Sequence, residues 1–82
     1  MGKFDEKYWN EQAKKLLEGK KIVEARYLTP EEADKTFGWY QRGIVIFFDD
    51  GTDMVVSQDD EGNGPGSLFV GDKTLPVISM NQ

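Results

Sequence analysis

The segment Ile44-Val45-Ile46-Phe47-Phe48 constrains the fold most, because it is apolar at every position. In a β-strand successive side chains point to opposite faces, so Ile44, Ile46 and Phe48 would face one way. Val45 and Phe47 would face the other way. A strand with two apolar faces needs cover on both of them. The sequence therefore predicts either a sheet that curls into a small barrel or a second subunit that covers the second face.

A compact turn follows this strand. Residues 49–52 read Asp-Asp-Gly-Thr, and short polar residues next to glycine favour a tight reversal of the chain. The residues beyond the turn return to an apolar pattern. The sequence predicts a hairpin whose strands cover residues 43–49 and 52–58.

The N-terminal segment has the pattern of an amphipathic helix over residues 5–18. Asp5 suits the N-cap, Gly19 suits the position just after the C-terminus, and Phe4 with Trp9 has the spacing of a hydrophobic staple. The apolar positions recur at helical spacing: Tyr8, Trp9, Ala13, Leu16 and Leu17. We expect this face to pack on a sheet, and the alternative is that it docks a partner.

A second, shorter helix is predicted over residues 30–37. Thr29-Pro30-Glu31-Glu32 is a capping box with proline at the first helical position, and Gly38 ends the helix. Phe37, Trp39 and Tyr40 then form an aromatic cluster. This cluster either closes one end of the core or forms an exposed aromatic contact surface for a partner.

Three further strands are predicted at residues 21–28, 67–70 and 74–79. Pro76 cannot donate a backbone hydrogen bond, so the last strand should lie at a sheet edge. The whole pattern predicts one α+β domain over residues 1–82, with an N-terminal helix and a short second helix. Its sheet would be a curled, mostly antiparallel five-stranded sheet or a small, partly open, SH3-like barrel.

Composition excludes several kinds of chemistry. The 82 residues include no cysteine and no histidine, so disulfides and every nucleophile–histidine constellation are absent. We therefore expect a protein that is not an enzyme. The charged N-terminus has no apolar run behind it, so we expect neither a signal peptide nor a membrane span. We expect a cytoplasmic location.

The charge is divided unequally along the chain. Residues 1–42 carry nine Lys or Arg and eight Asp or Glu, whereas residues 43–82 carry one cation and seven acids. The net charge of −5 repels phosphate groups, so direct nucleic-acid binding is not expected. Six of the acids lie between positions 49 and 61 with no cation among them: Asp49, Asp50, Asp53, Asp59, Asp60 and Glu61.

A glycine-rich loop, Glu61-Gly62-Asn63-Gly64-Pro65-Gly66, continues the second half of this acidic stretch. An alignment to a calcium-binding loop fails, because Pro65 and Val70 stand where ligands belong. We therefore expect no metal and no cofactor. The mixture of glycines and a proline predicts a loop of fixed shape. Fixed loops often carry function, so the candidate binding residues are Asp59, Asp60, Glu61 and Asn63, together with Trp39 and Tyr40.

These residues suggest a small acidic module that binds another protein or itself, with self-association through the second face of the hairpin. One alternative is a cation-binding protein, or a small carboxylate-based enzyme, that uses Asp59–Asn63. Another is an acidic inhibitor that mimics nucleic acid, because the two acidic ends of the hairpin would lie about 20 Å apart.

Four segments resemble small bacterial proteins of uncharacterised function. These segments are Leu28-Thr29-Pro30-Glu31-Glu32-Ala33, Gly38-Trp39, Asp50-Gly51-Thr52 and the run from Asp59 to Phe69. In such proteins a strand, a T-P-E-E-A helix, a D-G hairpin and a D-D-E-G-N-x-x-G-x-L-F loop occur in that order. The resemblance covers residues 20–70, and it implies a compact domain without implying an activity.

Overall fold

The computed structural model describes residues 5–80, which form an N-terminal helix, a second short helical segment and seven strands. The α-helix α1 covers Glu6–Leu17. The strands in chain order are β1 (Ile22–Tyr27), β2 (Gln41–Arg42), β3 (Ile44–Phe48), β4 (Asp53–Val55), β5 (Leu68–Val70), β6 (Lys73–Leu75) and β7 (Ile78–Ser79). The fold is therefore α+β, as the sequence predicts.

The strands form three small antiparallel sheets in the part of the chain described. The largest has the order β1-β3-β4, and the others pair β2 with β7 and β5 with β6. They make neither one five-stranded sheet nor a closed barrel. The predicted strand at residues 74–79 is divided at Pro76 and Val77, because proline has no N–H to continue a ladder. Its two halves consequently pair with different strands.

The central strand β3 is covered on both faces by other parts of the same chain. Val45 packs with Leu28, Ala33 and Trp39, with Phe47 against them. The opposite face belongs to a second apolar cluster, formed by Ile44, Ile46 and Phe48 with Tyr27, Met54 and Leu68. The predicted alternation of the strand is thus confirmed. Ala33 of the second helical segment and Trp39 cover the Val45 face, and Leu68 of β5 packs on the Ile44 face. The sequence predicts a barrel or a second subunit for this cover.

Helix α1 begins where the sequence predicts. The side chain of Asp5 accepts a hydrogen bond from the backbone N–H of Tyr8 at 3.2 Å, which caps the helix. Gly19 has a φ of +81°, the left-handed conformation that suits a residue after a helix. The predicted staple of Phe4 and Trp9 lies partly outside the described residues. None of the twelve helical residues, all of them described, is buried, so the expected packing of α1 on a sheet is not found.

The second helical segment also follows its predicted signals, with one difference. The backbone N–H of Thr29 donates to Glu32 Oε1 at 2.8 Å, and the N–H of Glu32 donates to Thr29 Oγ1 at 3.1 Å. These two bonds are the reciprocal capping box. The segment is wider than an α-helix, with π-helical geometry over Glu32–Thr36. Gly38 ends it with a φ of +69°.

None of the helices in residues 5–80 is long and apolar enough to span a membrane.

Candidate binding surface: the acidic loop and its tryptophan anchor

The glycine-rich loop is closed at its base by the end of the main hairpin. The N–H of Gln58 donates to the carbonyl of Gly64 at 2.8 Å, and the N–H of Gly66 donates to the carbonyl of Val56 at 3.0 Å. Ser57 and Pro65 form a β-bridge between these bonds. Gly64 and Pro65 are buried, so the second half of the loop packs against the hairpin and cannot face a partner.

Asp59 organises the first half of the loop. Its Oδ1 accepts the backbone N–H groups of Glu61 and Asn63, both at 3.1 Å, and its Oδ2 accepts the side-chain amide of Asn63 at 2.9 Å. The amide of Asn63, followed by its backbone N–H, holds the pKa of the Asp59 carboxyl below its ordinary value. Asp59 and Asn63 thus form an internal bracket that fixes the loop.

Trp39 ties the loop to the core. The indole Nε1–H donates to the carbonyl of Gly62 at 2.8 Å, and the indole stacks on Phe37 with ring centroids 4.7 Å apart. Trp39 is only 4% exposed. Gly62 has a φ of +75°, a conformation that favours glycine. This contact between positions 39 and 62 brings the predicted aromatic and acidic segments together.

The six candidate binding residues therefore divide by role. Asp59 and Asn63 bond to each other, and Trp39 is buried, so a partner cannot contact the indole. All of the loop residues Asp59, Asp60, Glu61 and Asn63 are exposed, and Glu61 Oε1 accepts the side-chain amide of Asn63 at 3.2 Å. Tyr40 is 88% exposed. The sequence left two alternatives for the aromatic cluster, closure of the core or an exposed contact surface. Trp39 fits the first and Tyr40 fits the second.

Asp49 and Asp50, at the other end of the hairpin, are held by the segment after α1. Asp49 Oδ1 accepts the N–H of Lys21 at 3.1 Å, and the ammonium of Lys20 lies 3.1 Å from Asp50 Oδ2. The hydroxyl and N–H of Thr52, followed by Lys20, lower the pKa of Asp50 to about 2. These two acids therefore fasten the turn, and nothing in their bonding favours their use as a nucleic-acid mimic.

Within residues 5–80 no group of three or more Asp, Glu, His or Cys side chains is placed to hold a metal ion. Both carboxylate oxygens of Asp59 already accept hydrogen bonds from the loop. The geometry thus gives no support to a cation site at Asp59–Asn63.

A second surface feature was not predicted as a site. A groove of about 450 Å³, counting the space open to solvent, lies over the Val45 face of the main sheet. Arg26 and Glu32 form a bidentate ion pair at its side, with distances of 2.9 and 3.1 Å, and Asp53 lies on its lining. The guanidinium is 5.3 Å from the Phe47 ring centroid. The one sequence feature that points to this groove is the alternation of the strand, which places Arg26 on the same face as Leu28.

The Arg26–Glu32 pair predicts a specific acid sensitivity. Hydrogen bonds from Arg26, followed by the N–H of Thr29, lower the pKa of Glu32 from 4.5 to about 2. A lowered folded-state pKa stabilises the protein above pH 4.5, and this contribution is lost as the pH falls towards 2.

We expect E32Q to be less stable than the wild type at neutral pH, with a difference in melting temperature that shrinks between pH 4.5 and pH 2. Thermal melts across this range measure it, and E31Q is the matched control. A difference independent of pH would contradict the assignment.

Comparison of this chain with protein-family models, with curated proteins and with solved structures finds no match.

Proposed function

We propose that this chain is a non-enzymatic interaction module, and that it binds a partner protein through the acidic loop surface, defined here as Tyr40, Asp60 and Glu61. The observation that carries the proposal is the 2.8 Å hydrogen bond from Trp39 to the Gly62 carbonyl. It joins the segment bearing Tyr40 to the loop bearing the two acids. A surface already fixed before binding loses less conformational entropy when a partner arrives.

The chemistry of this surface favours a basic partner. Asp60 and Glu61 are exposed carboxylates in the half of the chain that carries one cation and seven acids. Tyrosine adds an amphipathic ring with few rotatable bonds, which is common in binding surfaces. The partner would present arginine or lysine beside an apolar group that packs on Tyr40. The proposal includes a cytoplasmic location. It also includes a relationship to the small bacterial proteins that share the D-D-E-G-N loop.

The two alternative functions receive less support. A cation-binding or carboxylate-enzyme role would need oxygens directed at a common point, and Asp59 directs both of its oxygens to donors within the loop. Mimicry of nucleic acid would need the acids of both hairpin ends to be available, but Asp49 accepts the backbone N–H of Lys21 and Asp50 pairs with the ammonium of Lys20.

A peptide-display selection against the whole chain tests the proposal. We expect enriched peptides that combine arginine or lysine with an aromatic or aliphatic residue. The double variant D60N/E61Q should weaken their binding about tenfold, and Y40A by a similar factor, as central contacts do. Binding should also weaken as salt rises, because exposed charges are screened.

The matched controls are D72N and F69A, since both side chains are exposed but lie outside the acidic loop surface. Both should bind the selected peptides like the wild type. Selection of peptides without basic residues, or equal losses in the control variants, would count against the proposal. Calorimetry with calcium and magnesium completes the test, because a measured heat of binding would instead favour the cation alternative.

A further inference from the structure

Helix α1 leaves its apolar face open to solvent. Trp9 is 52% exposed and Leu16 is 59% exposed, and Tyr8 and Leu17 are exposed as well. A twelve-residue helix is only marginally stable in water by itself, and most helical stability in proteins comes from packing of an apolar face. The sequence gives α1 such a face, yet no other described part of the chain covers it. This surface is separate from the acidic loop surface.

The molecule is less compact than is usual for its length, and no residue of α1 is buried. The radius of gyration is 14.2 Å, whereas a compact chain of this length has a radius of about 12 Å. The segment after its C-terminal end is fastened through the bonds of Lys20 and Lys21 to the hairpin turn. The exposed face is therefore accessible to a second molecule along its length.

The surface of α1 has the shape that a facing helix requires. Asn10, Ala13, Lys14, Leu17 and Glu18 line a shallow groove of about 500 Å³, counting the space open to solvent, at one side of the apolar face. Around the centre of the apolar face, Trp9, Gln12, Ala13 and Leu16 have the i, i+3, i+4 and i+7 spacing of the four-residue hole that receives a side chain from a neighbouring helix. Ala13 lies near the middle of α1, and a small residue there lets a second helix approach closely.

The charges of α1 specify the direction of that second helix. Asp5, Glu6 and Lys7 give its N-terminal end a net charge of −1, and Lys14, Lys15 and Glu18 give its C-terminal end a net charge of +1. A parallel copy would place like charges together at both ends, whereas an antiparallel copy places each acidic end beside a basic end. Antiparallel helix dipoles also attract each other. Since the rest of each chain is attached at the C-terminal end of α1, an antiparallel pair keeps the two bodies at opposite ends.

We propose that α1 pairs in an antiparallel arrangement with α1 of a second copy of this chain. The two-fold axis passes between Gln12 and Ala13, so that Trp9 of each copy faces Leu16 of the other. This is an isologous interface, in which the same patch contributes from both sides. Helices of about 18 Å bury less area than a standard stable dimer. We therefore expect a weak and reversible dimer.

Sedimentation equilibrium of the whole chain across a concentration series tests the pairing. We expect a monomer–dimer equilibrium in which W9A or L16A raises the dissociation constant about tenfold or more. F69A is the matched control, because Phe69 is an equally large apolar residue that is 76% exposed on β5. Trp9 is not buried within one chain, so dilute W9A should melt like dilute wild type, which separates lost pairing from unfolding.

A charge-complementation experiment tests the antiparallel direction. The variant E6K makes both ends of α1 basic, and K14E/K15E makes both ends acidic, so each variant alone should dimerise more weakly than the wild type. An equimolar mixture should form a heterodimer. A wild-type chain that stays monomeric at millimolar concentration, a mixture that fails to associate, or equal weakening by F69A would each overturn the proposal.

Discussion

Trp39→Ala is expected to cost about 3–5 kcal/mol of unfolding free energy, because it removes the largest side chain of the Val45 face. Trp39 packs with Leu28, Ala33 and Val45 and stacks on Phe37. A domain of this size has a total stability of only about 5–15 kcal/mol. Urea denaturation should therefore show an early and cooperative loss of structure, with a midpoint far below that of the wild type.

Two other tryptophan substitutions separate the parts of this effect. W39F keeps an aromatic ring but removes the indole N–H, so we expect a smaller loss of about 1 kcal/mol. Its more specific effect should be local. The amides of Glu61 and Asn63, which donate to Asp59, should exchange with solvent faster than in the wild type, while those of β3 change little.

The matched control for Trp39 is W9A, measured in dilute solution. Trp9 is half exposed on α1 and lies in neither core cluster, so its loss should change the stability by less than about 0.5 kcal/mol. Equal losses for W39A and W9A would show that the indole of Trp39 is not part of the core.

The elements that the sequence predicts correctly are those specified by neighbouring residues. Asp5 caps α1, Thr29 and Glu32 form their reciprocal bonds, and Gly38 ends the second helix with a positive φ. Each signal acts within one or two turns of the chain, so no knowledge of the rest of the fold is needed. The strand Ile44–Phe48 is equally local, because alternation follows from the geometry of a single extended chain.

The features that the sequence does not reveal depend on long-range contacts. Nothing near Trp39 indicates that its N–H reaches the carbonyl of Gly62, and nothing in two-residue strands such as β2 and β7 marks them as partners. Both apolar faces of β3 must be covered, and the local sequence does not determine whether a barrel or other segments of the chain cover them. The face of α1 is a similar case, since an apolar stripe requires a partner without naming it.

The candidate site shows the same division. The fixed shape of the loop is predictable from its glycines and proline, and Asp60 and Glu61 are exposed as charged loop residues generally are. The roles of Asp59 and Asn63 within the loop cannot be predicted from the sequence. An aspartate that accepts hydrogen bonds from its own loop looks the same in a sequence as an aspartate that binds a ligand. Only the hydrogen bonds distinguish the two.

Gly43→Ala is expected to destabilise the protein by about 1–3 kcal/mol through overpacking. A Cβ added to Gly43 would lie 2.6 Å from Cβ of Pro65, inside the distance at which two carbons can approach. The φ of Gly43 is not in the left-handed region, so alanine meets no conformational strain there. Without the contact, this substitution would stabilise the protein by about 0.4–1 kcal/mol, because alanine reduces the freedom of the unfolded chain.

A double-mutant cycle with Pro65→Gly isolates that contact. P65G alone should destabilise the protein, but it removes the Cβ that alanine meets, so G43A/P65G should be more stable than the sum of the single losses predicts.

The control cycle pairs P65G with G19A. Gly19 has open space around it and a φ of +81°, so its substitution is costly for conformational reasons alone and should be additive with P65G. Additivity in both cycles would mean that the loop does not rest on Gly43. Coupling in the first cycle alone would show that the close approach of Gly43 and Pro65 holds the base of the acidic loop against the hairpin.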